Sequence, residues 1–342
     1  MSDQFVFITP IQNLEMPLSR YKLIQIGNVY FVSYDKINYY KKKFGLRTNL
    51  TTMPYLIKTE NTFFTNAQAF ALIHHSGDTK NKGYEYIIKV QNAIDILCLL
   101  ERGFSKRRFS SIPCIWGMPI VKSYKYLFVN KKNPSVSSGW RLIGTHNSLI
   151  LSNEMISYHK QGYFFKLLDI LNKKKNIISV EWYKCIFDAS VLLGKSWAEK
   201  SVPEAFLYNM IALETLLTES GDAFSLILPK RIKSFIGWVG YWETENFESK
   251  IDEMYKKRCK IVHEGKLSLV LVDDLLFIDD LVNNVFDNII NHINLFHCKK
   301  DLILFTKKIE AEHLLGIQGK TRPKTLRFSH KTYSEKDKLE II

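Results

Sequence analysis

Along the second half of the chain, apolar residues recur at three- and four-residue steps with the regularity of amphipathic helices. Trp182, Ile186, Ala189, Leu193 and Trp197 form one such stripe. Ser201-Val-Pro-Glu204 reads as a capping box with proline in the first turn, opening a helix through Leu217. Gly221 and Asp222 break the chain. A third helix is expected over about Ala223–Ile236, and a fourth over Phe247–Glu264 with Gly265 as its C-cap. The longest stripe joins Leu271, Leu275, Ile278, Val282, Val285, Ile289, Ile293 and Phe296. Its opposite face carries aspartates and asparagines and reads as solvated. Amphipathic helices on short connections predict an antiparallel bundle.

The first half has a different texture. Gln4–Ile8, Tyr21–Tyr34, Thr62–Phe64, Ile115–Phe128 and Trp140–Leu151 are rich in Ile, Val, Tyr and Phe, and are broken by Gly, Pro and Asn. One helix, about Tyr84–Phe104, interrupts them through Ile87, Val90, Ala93, Leu97 and Leu100. The expected fold class is therefore α+β: a β-rich domain over 1–150, a connecting helix and linker over 151–178, an all-α bundle over 179–298, and a basic tail over 299–342. The lysine run Lys173–Lys175 marks the approach to the bundle, and no internal repeat is seen.

Composition adds constraints of a different kind. A length of 342 residues suits two domains, and 46% hydrophobic with 24% charged residues is the balance of a folded chain. Forty-eight basic against thirty-four acidic residues leave a net charge of +14, which reads either as a bias toward polyanionic partners such as nucleic acid or as the Lys-rich codon usage of an AT-rich genome. Five scattered cysteines with no C-x-x-C spacing argue for a reducing compartment and against a zinc ribbon. Met1-Ser-Asp-Gln-Phe5 lacks the pattern of a signal peptide, and five aspartates interrupt the apolar stretch Leu267–Phe296. A cytoplasmic protein with no membrane partner is expected.

The chemistry concentrates in the fourth helix, at Tyr255-Lys-Lys-Arg258-Cys-Lys-Ile-Val-His263-Glu-Gly265. Arg258 falls in register with Phe247, Ile251 and Met254, so a guanidinium sits on a core-facing stripe and requires an anion. Glu214 breaks the face set by Phe206, Met210, Leu213 and Leu217 in the same way, and its expected partner is Arg231 or Arg258. His263 lies five residues beyond Arg258, about 140° around an ideal helix, so the two do not share a face by periodicity.

These surroundings resemble the HEPN superfamily (higher eukaryote and prokaryote nucleotide-binding), in its Apea-like branch, over roughly residues 180–298. The resemblance rests on Arg258-Cys-Lys-Ile-Val-His263-Glu-Gly265, preceded by Ala212-Leu-Glu214-Thr-Leu-Leu217 and a later helix bearing Arg231. It departs from the pattern of active members in placing Cys259, not a strongly polar residue, after the arginine, and in inserting Glu264 before the glycine. The resemblance implies a metal-independent endoribonuclease that needs no cofactor. In it His263 manages the proton of the 2′-hydroxyl and Arg258 stabilises the charge that develops at phosphorus. It also implies a homodimer joined through the bundle, and the role of a bacterial anti-phage or toxin-like effector whose N-terminal domain senses a phage or host trigger. Cys259 and Glu214 are supporting residues, and Lys256, Lys257, Lys260 and Lys266 are possible phosphate contacts for RNA.

The rival reading is a non-catalytic HEPN scaffold that binds nucleotide, nucleic acid or protein, with Arg258 as an ion-pair anchor. A third is a toxin controlled through modification of Tyr255. His74, His75 and His146 read as surface or core histidines, and His292, His297 and Cys298 do not line up as metal ligands. No phosphate-binding glycine loop is present. The stretch Phe104-Ser-Lys106-Arg107-Arg108-Phe109 reads either as a nucleic-acid contact or as a solvated loop.

Overall fold

The computed structural model describes residues 4–16, 23–45, 69–77, 82–107, 113–115, 122–129, 136–143, 148–173, 178–236, 246–317, 321–323 and 325–341. The strand expected at Thr62–Phe64, and His146, Arg108, Phe109 and Lys174–Asn176, lie outside them. A β-rich N-terminal region precedes a largely helical C-terminal part, so the chain is α+β. It divides into two compact units, one of residues 1–24, 30–91 and 109–151, the other of 25–29, 92–108 and 152–342.

In the first unit a sheet runs in the order β3 (Leu23–Ile26), β4 (Val29–Ser33), β5 (Ala69–Ser76), β1 (Gln4–Gln12), β6 (Cys114–Ile115). The β5 strand is antiparallel to both neighbours, pairing Val6 with His74 and Phe31 with Ala71. Because it is central, Ala69–Ile73 are buried on both faces, and the segment carries no alternation by which to read it. The segment expected over Tyr21–Tyr34 contains the β3–β4 hairpin, Leu23–Ser33, turned at Gly27 with φ 60°. Val32, Ile37, Phe44, Phe70 and Leu72 form the core, with Ile37 contributed by the short helix α1 (Ile37–Tyr40). Parallel β2 (Leu14–Glu15) and β9 (Leu149–Ile150), and the antiparallel pair β7 (Lys122–Val129) and β8 (Val136–Ile143), complete the strands described.

Helix α2 spans Lys82–Cys98, six residues shorter at its end than Phe104, and its second half belongs to the helical unit. The expected linker folds into α3 (Asn153–Gln161) and α4 (Phe164–Leu171), whose buried Met155, Ile156, Phe164, Leu167 and Leu168 are core residues. Helix α5 (Val180–Ala198) starts where the Ser179 hydroxyl accepts from Trp182 N. It packs against α6 (Val202–Leu217), which also meets α7 (Phe224–Ile236), α9 (Val272–Asn291) and α10 (Lys299–Leu314) and is therefore buried on most sides. The capping box at Ser201 does not form. Glu199 Oε1 instead accepts from Lys200 N at 2.8 Å and Ser201 N at 2.9 Å, while Pro203 occupies the first turn as expected.

Gly194 brings α5 against α2. A Cβ there would lie 1.8 Å from the Asp95 carbonyl oxygen. The oxygen belongs to helix backbone and the Cβ is fixed by it, so the clash cannot be relieved by a rotamer change. Gly194→Ala is expected to cost about 1–3 kcal/mol, read as a lower urea midpoint at unchanged m-value.

Much of the polar face of α9 is not solvated, although Asp273 at its start is exposed. Asp274, Asp279, Asn284 and Asn288 are all buried. Residues 325–331, expected in a basic tail, run in extended form across this face. Asn288 accepts from Arg327 N at 2.9 Å and donates to Arg327 O at 2.7 Å; Asn284 does the same for Ser329 at 2.8 Å on both sides. His292 Nε2 reaches Thr325 Oγ1 at 2.9 Å. Four helical residues rise about 6 Å and two extended residues about 6.7 Å, so side chains at i, i+4 and i+8 can each meet every second residue of an antiparallel strap. The strap ends in α11 (Glu335–Leu339), capped by Ser334 and Asp337. Among the described residues no helix is long and apolar enough to cross a membrane.

Candidate active site

Helix α8 spans Phe247–Glu264 and buries Phe247, Ile251, Met254 and Ile261. It stops at Gly265, whose φ of 66° is the left-handed conformation that glycine adopts without steric cost. Gly265 N donates to Ile261 O at 3.0 Å, the bond of a left-handed C-cap, and Lys266 N donates to Lys260 O at 3.3 Å.

Arg258 finds its anion on α6. Its Nη2 donates to Glu214 Oε2 at 2.9 Å, and its Nε lies 2.8 Å from Glu214 Oε1. The fork therefore meets the carboxylate along one edge, and Nη1 has no partner among the described residues. Both side chains are mostly shielded, at 19% and 10% exposure. Burial pushes the Glu214 carboxyl up, against the pull of Arg258. The other expected partner, Arg231, is engaged elsewhere, by Asp222 Oδ2 at 2.6 Å and the Leu217 carbonyl.

Tyr255 and Cys259 stand one turn apart beside this pair. Burial pushes the Tyr255 phenol up, as do the neighbouring Cys259 and the negative charge of Glu214. The thiol after Arg258 thus stands beside a phenol.

His263 lies elsewhere on the helix. It is exposed in the final turn, and no hydrogen bond from the described residues reaches its ring. A single chain does not bring Arg258 and His263 together: one side chain faces α6 and the other faces solvent, as their angular separation requires. Apolar surface flanks the histidine, with Val262, Leu267 and Leu271 each 47% to 63% exposed.

The lysines divide by their neighbours. Lys257 is held by Asp274 at 2.8 Å and Glu253 at 2.9 Å, Lys256 by Asp252 at 2.7 Å, and Lys266 by Glu264 at 2.5 Å. Their charges are locally offset, which weakens them as phosphate contacts. Lys260 is exposed without an ion pair among the described residues. Farther off, Arg107 of the basic stretch is buried against Asp279 and is closed to nucleic acid, while Lys106 pairs with Asp337 at 2.9 Å. Among the described residues, no group of three His, Cys, Asp or Glu side chains is placed to hold a metal ion.

The Glu214–Arg258 pairing was legible as two polar breaks in two apolar stripes. Tyr255 and Cys259 are neighbours on the helix face by their i, i+4 spacing. No family model, curated protein or solved structure matches the chain.

Proposed function

We propose that this chain is a metal-independent endoribonuclease of the HEPN type, active as a homodimer. The observation that carries the reading is the state of the two candidate residues. Glu214 fixes one edge of the Arg258 guanidinium and leaves Nη1 open, while His263 stands exposed near the end of the same helix with its ring uncommitted. Since the two diverge within one chain, the arginine of one protomer works with the histidine of the other. The apolar surface at Val262, Leu267 and Leu271 is what the second copy covers.

In that cleft His263 removes the proton from a ribose 2′-hydroxyl, and the oxygen attacks the adjacent phosphorus. The bond from phosphorus to the 5′-oxygen breaks, the leaving oxygen takes a proton from solvent while the histidine returns its own there, and the products end in a 2′,3′-cyclic phosphate and a 5′-hydroxyl. Arg258 Nη1 stabilises the charge on the non-bridging oxygens. The β-rich unit would sense the trigger, and the cell setting is that of a cytoplasmic anti-phage or toxin-like effector.

The second reading, a non-catalytic scaffold, is favoured by one observation: a shielded Glu214–Arg258 ion pair is also the form of a structural anchor. Incubating the purified full chain with labelled RNA and a chelator separates the two. Chelator-resistant cleavage leaving cyclic phosphate ends supports the nuclease. Intact RNA from a protein shown to be dimeric by sedimentation, with and without lysate of infected cells, supports the scaffold.

Glu214→Gln gives a finer test. It keeps the shape but loosens the fork, so cleavage is expected to fall about 10- to 100-fold through kcat, with KM nearly constant. Equal activity would show that Glu214 does not position Arg258.

A further inference from the structure

A cleft of about 610 Å³ opens in the helical unit, between the end of α3, the middle of α9 and the extended strap. It shares no residue with the α8 site. Its walls include Tyr158, Tyr163, Asn283, Asp287, Arg327 and Phe328. That volume lies within the range of small-molecule sites, and the lining combines aromatic rings with a few polar groups.

Two charges define its chemistry. Asp287 Oδ1 accepts from Asn291 Nδ2 at 2.8 Å, while its second oxygen takes no hydrogen bond from the described residues. Arg327 is exposed at the rim. It contacts the Gln161 carbonyl through Nη1, and its charge favours the ionised form of Asp287, with which it forms no direct ion pair among the described residues. An acceptor set into one wall and a cation at the edge thus face the same space without neutralising each other.

We propose that this cleft binds a guanine nucleotide, with the base on Asp287 and the phosphate on Arg327. A carboxylate accepts two parallel N–H groups best, as it does from arginine. Among the common bases only guanine presents two adjacent donors, the ring N1–H and the amino group, on its pairing edge. Adenine sets an acceptor beside its amine, and uracil flanks its single donor with two acceptors. The aromatic lining suits a flat ring, and the guanidinium suits a phosphate. The strap supplies Arg327 and Phe328, so the Asn284 and Asn288 contacts that dock it also complete the site.

Calorimetric titration of the full chain with GMP, AMP and guanosine tests this. GMP is expected to bind with AMP at least about 10-fold weaker, and Asp287→Asn to weaken GMP by about 30-fold. Arg327→Ala should bring GMP down to the affinity of guanosine while leaving guanosine itself unchanged. Burial already raises the Asp287 carboxyl to about 6, so the neutral amide relieves a cost and the variant should fold at least as stably. A short oligonucleotide carrying one guanosine distinguishes the source. Tighter binding than GMP assigns the site to an RNA strand, and weaker binding to the free nucleotide. Equal affinity for AMP and GMP, an unaffected Asp287→Asn variant, or no binding of GMP at millimolar concentration would overturn the proposal. Cleavage by the α8 site is read separately and does not enter these titrations.

Discussion

Replacing His263 with alanine is expected to lower RNA cleavage by about 1,000-fold, with almost no change in stability. The side chain is exposed and makes no hydrogen bond with the described residues, so its removal costs the fold little, within about 0.5 kcal/mol for such a surface position. That separation gives the experiment its value, because lost activity in this variant cannot be assigned to unfolding. Arg258→Ala is less clean: it also strips Glu214 of its cation, in a place where burial already disfavours the carboxylate. The two variants together test the shared cleft. If arginine and histidine come from different protomers, mixing the inactive variants forms heterodimers with one intact pairing, and roughly a quarter of wild-type activity should return. Single-turnover cleavage of a fluorescent RNA measures both effects. A His263→Ala protein that cleaves as fast as wild type would remove His263 from the reaction.

Where the sequence spoke through periodicity it was legible to the residue. The stripe Phe247, Ile251, Met254 and the stop at Gly265 define α8 at both ends, because burial sets one and backbone conformation the other. Arg258 and Glu214 were each recognisable as needing a partner for the same reason, being charges placed where their helices turn inward, but the choice between Arg231 and Arg258 came only from the fold. Three features escaped. The β5 strand is buried on both faces, so Ala69–Ile73 offers no alternation. The α9 aspartates and asparagines fix a polar face, but polarity does not distinguish a face wetted by solvent from one wetted by backbone. Asn284 and Asn288 replace water with the peptide groups of Arg327 and Ser329, and no local pattern announces a partner some 40 residues away. The apparent tail failed for the complementary reason. Its few apolar residues mattered less than its main chain, whose hydrogen bonds are available to any sequence.

The same distance in sequence hides the interaction on which the helical unit depends most. Asp279→Ala is expected to destabilise the protein by about 3–5 kcal/mol, the largest loss predicted for any single change here. Asp279 is buried between two buried guanidiniums. Its Oδ1 accepts from Arg102 Nη2 and Arg107 Nη2, each at 3.0 Å, and from Asn209 Nδ2 at 2.8 Å, while Oδ2 accepts from Arg107 Nε at 2.5 Å. One carboxylate serves two cations, and the surplus charge is shared by neutral groups. Leu193 O accepts from Arg102 at 3.1 Å, Ser196 O from Arg107 at 2.7 Å, and the Trp197 ring lies 5.0 Å from the Arg107 guanidinium. Alanine would leave both cations buried with only those dipoles, and a charge cannot be left so without large cost. Removing the whole network is a different matter. Replacing Asp279, Arg102 and Arg107 together with apolar residues of similar volume should recover much of the loss, since the desolvation cost disappears with the charges. The pH dependence has a definite sign. Burial pushes the Asp279 carboxyl up, but Arg107 and Arg102 pull it below its ordinary value of 3.8. Its contribution is therefore complete above pH 3.8 and is lost as pH falls through the depressed folded value. Asp280 and Asp287, raised by burial to about 6, act oppositely: the folded state takes up their protons, so stability rises as pH falls from about 7 toward 5. Urea denaturation at pH 7, 5 and 3 should then show wild type most stable near pH 5, with Asp279→Ala displaced downward most at pH 7 and 5 and least at pH 3. A loss below about 1 kcal/mol at pH 7 would mean that the two arginines find other anions, and that the network is not the clasp its geometry describes.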